Sequence, residues 1–202
     1  MAQNKDIDNK IQEVVSGLST TQATMARLIA TSLSKTEAAA ASTTAVHAAI
    51  TLTAEAQTVT TSITNPPYAR NITITCAKGG GSDMSGNVTI TGTDIWGQTI
   101  TDTIAEGADG TVQGVKAFKT VTSIALPART NAGDTVSIGY GDLIGLDLYL
   151  PSKDCVIQCS LDGVIETTAA TVVADDDEIS KNTVDLNSAL NGKVVTILYF
   201  VY

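Results

Sequence analysis

Four consecutive acidic residues form the densest group of charged side chains in the sequence. Asp175, Asp176, Asp177 and Glu178 carry carboxylate oxygens, the ligands that Ca²⁺ prefers. The run lacks the alternating acidic spacing and the glycine of an EF-hand calcium loop. Runs of charge usually face water in a turn. These residues are therefore the candidate metal ligands, and the sequence favours a solvated turn over a bound cation.

The other reactive side chains do not combine into a catalytic set. His47 is the only histidine, so neither a Ser-His-Asp triad nor a two-histidine metal site can be assembled. Cys76, Cys155 and Cys159 cannot all pair within one chain and lack Cys-x-x-Cys spacing, so we predict small buried hydrophobic residues. The glycine-rich segment 78–82 lacks the closing Gly-Lys-Ser/Thr of a phosphate loop and predicts a hairpin loop. We therefore expect no catalytic residues and no cofactor.

Composition and charge exclude further classes of protein. The 202 residues include 12 Lys+Arg against 21 Asp+Glu, a net charge of -9. A domain that grips nucleic acid through its phosphates needs a basic face, which these cations cannot build. The N-terminus has no hydrophobic leader, and no segment approaches the roughly 18 apolar residues of a membrane span. We expect neither a nucleic-acid nor a membrane partner, and synthesis in a cytosol.

The first 49 residues have the pattern of a long α-helix that would position an oligomer interface. The segment 6–49 contains no proline and one glycine, and its apolar residues recur at intervals of four and three, which is a heptad pattern. One interpretation is a single amphipathic helix that lies on its own domain. The other is self-association, because a narrow apolar stripe is poorly buried by one copy; a trimer is favoured over a dimer. The predicted interface residues are Ile7, Ile11, Val14, Leu18, Met25 and Leu28.

From residue 50 onward, apolar residues alternate with threonine, which is typical of β-strands with one buried face. About ten short strands are separated by glycine and proline turns, and no helical crossover lies between them. The clearest hairpin turns at 93–98, where Gly97 supplies a positive φ. The fold class predicted is mainly β: an antiparallel β-sandwich, Ig-like or jelly-roll-like, at 50–202, preceded by the helical segment 1–49. A division of the sandwich near residue 150, into 50–150 and 151–202, is an alternative.

Three ordered segments resemble a module of tailed-bacteriophage virion proteins described as head fibre or head decoration proteins. They are Asn-Pro-Pro-Tyr-Ala-Arg-Asn-Ile-Thr-Ile at 65–74, Gly-Asn-Val-Thr-Ile-Thr-Gly-Thr-Asp at 86–94 with Gly97 and the strand 99–104, and 114–124 followed by 134–139. The similarity covers roughly residues 50–150. It implies a non-enzymatic subunit with a β-sandwich head and an elongated N-terminal part, displayed in many copies outside the capsid.

We therefore expect a homo-oligomeric head fibre or decoration protein on the capsid surface of a virion, made in the host cytoplasm. Its partners would be its own copies, the major capsid protein or another virion protein, and a host glycan as a further candidate. The alternatives are a tail, neck or collar component, and a carbohydrate-binding adhesin module. The adhesin would need an exposed aromatic side chain or a calcium site at 175–178, and Trp96 is expected to stand alone at a turn. An enzyme is the least favoured class.

Overall fold

The computed structural model describes residues 27–201. These residues form fourteen β-strands and two 3-10 helices, and every paired strand is antiparallel to its neighbour. The 3-10 helices are Lys153–Cys155 and Ile179–Lys181. The strands are β1 (Arg27–Leu33), β2 (Ser42–Thr51), β3 (Gln57–Val59), β4 (Arg70–Ala77), β5 (Asn87–Thr93), β6 (Thr99–Ala105), β7 (Gly110–Phe118), β8 (Thr120–Leu126), β9 (Thr135–Gly145), β10 (Val156–Leu161), β11 (Val164–Ile165), β12 (Thr171–Val173), β13 (Thr183–Asp185) and β14 (Val195–Val201).

The strands are arranged in three sheets. The central sheet has the order β12-β13-β9-β4-β7, with β2 also paired to β9. The hairpin sheet has the order β3-β8-β5-β6, and the terminal sheet has the order β1-β14-β10-β11. The confirmed part of the predicted fold class is this mainly β, antiparallel architecture.

The central and hairpin sheets face each other across a shared hydrophobic core. In β6 the buried positions alternate strictly with exposed threonines, so the period of two in the sequence corresponds to one inner and one outer face. Phe118 and the inner residues of six other strands fill the space between the sheets. They include Ile72, Ile74, Val88, Ile90, Ile104, Ile124, Val136 and Ile138.

A second core lies between the terminal sheet and the far half of β9. It contains Ile144 from β9, together with apolar side chains of β1, β10, β13 and β14. β9 is therefore shared by both cores, because its residues Val136 and Ile138 belong to the first. Gly139 lies between these halves, where a Cβ would overlap the carbonyl of Ser42 on β2. Glycine is needed there for the close approach of the two backbones.

The predicted N-terminal helix is wrong for residues 27–49. β1 and most of β2 occupy this segment, and Leu28 lies on β1 in register with Phe200, with 51% of its surface exposed. The alanine-rich composition favours a helix locally. However, β1 forms backbone hydrogen bonds with the apolar strand β14, on the edge that β10 does not occupy. Tertiary pairing therefore outweighs helix propensity here. The rest of the predicted helix, with Ile7, Ile11, Val14, Leu18 and Met25, lies outside the described residues.

The antiparallel strands bring particular loops to the same end of the molecule. Ala77 pairs with Thr135 and Asn87 pairs with Ala105, so the loops at 78–86, 106–109 and 127–134 meet at one end, which we call the Asp134 end. At the opposite end, Arg70 pairs with both Phe118 and Ile144. The turn at 94–98 and the segment after β9 also lie there, and we call it the Arg70 end.

Candidate functional site

Trp96 projects from the turn between β5 and β6 at the Arg70 end. The buried carboxylate of Asp94 shapes this turn, because its Oδ1 accepts the backbone N–H groups of Trp96 and Gln98, both at 2.9 Å. Gly97 adopts a φ of 81°, as the sequence predicts for this hairpin. The turn is thus fixed by its own hydrogen bonds, and it holds the indole with 46% of its surface exposed.

Tyr149, from the segment that follows β9, packs against Trp96. The two ring centroids are 5.2 Å apart and the rings cross at 84°, an edge-to-face contact. The indole Nε1 donates a hydrogen bond of 2.8 Å to the backbone carbonyl of Asp147. Both contacts fix the orientation of the indole, and we call Trp96, Tyr149 and Asp147 the aromatic surface.

Asp147 also carries an exposed carboxylate at this surface. Its Oδ1 accepts a hydrogen bond of 2.8 Å from the hydroxyl of Tyr199, which also contacts the Thr31 hydroxyl at 3.1 Å. Burial raises the pKa of Tyr199 above its usual range, and the bond to Asp147 adds to the rise. Burial likewise raises the pKa of Tyr68 to about 12, with a contribution from the charge of Asp147. Both phenols are therefore protonated at neutral pH, and Tyr199 donates its proton to Asp147.

The buried side chain of Asn182 brings the acidic run next to Tyr149. Its Oδ1 accepts the N–H of Leu150 at 2.9 Å and that of Asp175 at 3.3 Å, and its Nδ2 donates to the carbonyl of Asp175 at 2.7 Å. The Tyr149 hydroxyl lies 3.5 Å from the carbonyl of Asp177. One amide therefore joins the two segments that flank the aromatic surface.

Within the acidic run, two of the four candidate metal ligands are bonded inside the protein. The Oδ1 of Asp175 accepts the N–H groups of Asp177 and Glu178 at 3.0 and 2.7 Å, which hold the pKa of Asp175 below its usual value. Lys181 lies 3.5 Å from the second oxygen of Asp175 and 3.0 Å from Glu178, and Lys116 lies 2.6 Å from Glu178. Among residues 27–201, no group of three or more His, Cys, Asp or Glu side chains is placed to hold a metal ion.

The remaining two acidic residues, Asp176 and Asp177, point to solvent. Asp176 forms part of the rim of a cleft of about 430 Å³ that begins two residues after Tyr149. Pro151, Ser152 and Lys153 form one wall, and 172–174 form the other. The aromatic surface and this cleft are therefore adjacent along the chain.

The histidine, the cysteines and the glycine-rich segment considered in the sequence analysis are not part of the aromatic surface. His47 lies on β2, and its Nδ1 is 2.7 Å from the carbonyl of Ala48. Cys76, Cys155 and Cys159 are buried, which confirms the prediction that they behave as small hydrophobic residues. The segment 78–82 lies in the loop between β4 and β5. These strands belong to different sheets and do not pair, so the predicted hairpin is wrong although the loop is present.

Sequence reasoning missed Tyr149 and Asp147, and the expectation that Trp96 stands alone is wrong. These residues are separated from Trp96 by about fifty positions and belong to an irregular segment. Periodicity carries no information about which turn such a segment meets. An aromatic residue just before the Leu150-Pro151 dipeptide was the one available signal.

Comparison of the chain with family models, with curated proteins and with solved structures gave no match. In the part of the chain that the structure describes, neither helix has the length or the apolar character needed to cross a membrane.

Proposed function

We propose that this chain is a non-enzymatic structural protein of a tailed-phage virion, a homo-oligomeric head fibre or decoration protein displayed on the capsid surface. The observation that carries the proposal is the location of the segments that resemble this class. They fall on β4 to β9, which are consecutive in the chain and build the two facing sheets. The resemblance thus concerns one structural unit and not scattered surface positions.

The surface chemistry supports display in many copies. Outward-facing threonines line strands such as β6, so the faces are polar with few charges. The net charge of -9 keeps neighbouring copies soluble at high local concentration. The major capsid protein or another virion protein is the expected attachment partner.

The proposed oligomer interface precedes β1 directly. β1 is an edge strand of the terminal sheet, paired only with β14 among the described residues. Ile7, Ile11, Val14, Leu18 and Met25 remain the proposed self-association residues, with a trimer favoured over a dimer. Leu28 is left out of that helical set because it lies on β1.

Location on the particle tests the proposal. Gold-labelled antibody against the chain is expected to decorate the heads of purified particles. Labelling confined to tails, necks or collars would favour the tail-component alternative, and the absence of the chain from particles would overturn both.

Self-association is tested by removing residues 2–25, which leaves β1 intact. Light scattering at high micromolar concentration should give an oligomeric mass for the full chain and a monomeric mass for the shortened one. The substitution Leu18→Asn in the full chain is the matched point variant, and Leu28→Asn on β1 is its control. A full chain that is monomeric under these conditions contradicts the oligomer.

A further inference from the structure

We propose that the aromatic surface and the adjacent cleft bind a neutral carbohydrate chain. This inference goes beyond the proposed virion role, since it concerns what the displayed protein contacts. It starts from Trp96, because a half-exposed indole on a rigid turn exposes apolar area that the fold itself leaves uncovered.

The rings supply an apolar platform. Tyr149 braces the indole edge-on and Asp147 binds its Nε1, so the indole is oriented before any ligand arrives. Preorganisation of this kind reduces the entropy lost on binding. The C–H face of a pyranose ring is a flat apolar surface that can cover an aromatic face, while its hydroxyls point outward.

The rim of the site supplies hydrogen-bond acceptors. Asp176 is an exposed residue that lines the cleft, and the exposed residue Asp177 follows it, with its carbonyl 3.5 Å from the Tyr149 hydroxyl. Asp147 is exposed beside Trp96, and one of its carboxylate oxygens already accepts from Tyr199. Sugar hydroxyls donate hydrogen bonds to carboxylates, and such charge-assisted bonds are stronger than neutral ones. The three negative charges outnumber Lys153, the cation on the cleft wall, and therefore disfavour uronic acids and phosphate-bearing polymers. Charge therefore selects a neutral glycan over an acidic one.

The cleft extends the site, so that it can contact more sugar residues than the one ring that lies on Trp96. Its volume of about 430 Å³ lies within the range of small-ligand clefts, roughly 300–1,000 Å³. Ser152 and Lys153 on its wall add donors for sugar oxygens opposite Asp176. An oligosaccharide with one ring on Trp96 and the next residues toward the cleft would use both parts.

Trp96 is the only tryptophan of the chain, so intrinsic fluorescence reports on this site without labelling. The full-length protein would be titrated with maltohexaose, cellohexaose and chitohexaose, and with hexagalacturonate as the acidic comparison. At least one neutral hexasaccharide is expected to shift the emission and to protect Trp96 from acrylamide quenching, with a Kd of order 1 mM or tighter. The acidic chain is expected to bind at least tenfold more weakly.

Calorimetry with the best neutral sugar then compares variants. Trp96→Ala and Tyr149→Ala should each weaken binding at least tenfold, whereas Val164→Ala, an exposed apolar residue of β11, should leave it unchanged. Trp96→Phe, which keeps a ring on the same turn, should retain part of the affinity. Circular dichroism of each variant checks that the fold is kept.

Three outcomes would overturn the inference. One is the absence of any fluorescence or quenching change with all three neutral sugars at 10 mM. Another is equal binding by wild type and Trp96→Ala. The last is protection of Trp96 from acrylamide on intact particles together with no response to the sugars. That result would mean that another virion protein covers this face. None of these results changes where labelled antibody locates the chain, so the two proposals fail independently.

Discussion

Each end of the two facing sheets is stabilised by one buried charged side chain, an aspartate at one end and an arginine at the other. At the Asp134 end, the carboxylate of Asp134 accepts backbone N–H groups from Gly79, Thr130 and Asn131 at 2.8, 3.0 and 2.6 Å. The side-chain amide of Asn131 adds a bond of 3.2 Å. One anion thus satisfies the orphaned donors of two loops that no strand ladder reaches.

At the Arg70 end, a cation satisfies orphaned carbonyls. The guanidinium of Arg70 donates to the carbonyls of Gly141 and Ala39 at 2.7 and 2.5 Å and to Asp142 at 2.8 Å, and it lies 4.5 Å from the centroid of the Tyr140 ring. Burial lowers the pKa of Arg70, and the charge of Asp142 opposes that effect. Arg70 therefore links β4, β9 and the connection between β1 and β2.

The comparison separates structural charge from recognition. Both buried charges are used up by internal partners, so neither is available to a ligand. Within residues 27–201, the Arg70 end combines such a clamp with the exposed Trp96, which stands on a turn stabilised by Asp94 and packs against the partly buried Tyr149. At that end, Arg70 and Asp94 stabilise the scaffold and are not expected to bind, whereas Tyr149 and Asp147 both orient the indole and are expected to contact the ligand.

The largest effect is expected from Arg70→Met, which removes the clamp and leaves Asp142 and two carbonyls without their donor. Loss of one partner of a buried, hydrogen-bonded pair costs about 3–5 kcal/mol. Urea unfolding should show this loss of free energy of unfolding. Arg129→Met, at an exposed arginine, is the control and should change it by less than about 0.5 kcal/mol. Equal values for the two variants would contradict the structural role of Arg70.

Asp134→Ala should give the next largest loss. Its donors lie in loops that water can reach once the carboxylate is gone, so the drop in Tm should be smaller than that of Arg70→Met. Burial alone would raise the pKa of Asp134, but the bonds from Asn131, Gly79 and Thr130 outweigh it and hold the pKa below its ordinary value of 3.8. Asp134 therefore stabilises the fold above pH 3.8, and this contribution is lost as the pH falls through the lowered pKa.

The acid dependence of stability checks that assignment. Thermal melts from pH 7 to pH 2 should show a shallower acid loss for Asp134→Ala than for the wild type. Asp109→Ala, which removes one exposed acceptor from the N–H of Lys78 in the same group of loops, is the matched control. If Tm fell as steeply with decreasing pH in Asp134→Ala as in the control, the role of Asp134 would be refuted.

β4 begins with five buried residues and β7 with four exposed ones, so neither strand alternates. β5 and β6 could be predicted from sequence because their burial follows local alternation, as Val88 and Ile90 illustrate. β1 could not, since its strand state depends on the apolar edge of β14, some 170 residues away. Only part of the aromatic surface could be predicted: Gly97 and the hairpin pattern placed Trp96 in a tight turn. Tyr149 was not, because Asn182 fixes the neighbouring Leu150 and the Tyr149 ring meets Trp96 through contacts that follow no sequence period.

Glu106 sharpens the comparison within the Asp134 end, because it is a buried carboxylate without hydrogen-bond partners among the described residues. Burial, with a contribution from the charge of Asp134, raises its pKa above the ordinary 4.5. Ionisation of Glu106 therefore costs stability as the pH rises above 4.5. Glu106→Gln should raise the free energy of unfolding at pH 7 by about 1 kcal/mol, an advantage that disappears below pH 4.5.

Urea unfolding at pH 7 and pH 4 measures this difference. Glu55→Gln, at an exposed position, is the control and should have no effect at either pH. A Glu106→Gln variant that is less stable than wild type at pH 7 would show that the ionised carboxylate has a favourable role.

The smallest effect on stability is expected at the aromatic surface, from Trp96→Phe. Phenylalanine keeps a ring against Tyr149 and removes the bond from Nε1 to the carbonyl of Asp147, an exposed bond that contributes about 0.5 kcal/mol. Urea unfolding should therefore barely separate this variant from wild type, while calorimetry with a neutral hexasaccharide should show weaker binding. The Arg70→Met variant, in contrast, should show a clear loss of free energy of unfolding in urea. If Trp96→Phe destabilised the chain as strongly as Arg70→Met, the indole would be part of the scaffold, and the separation between clamp and recognition at this end would not hold.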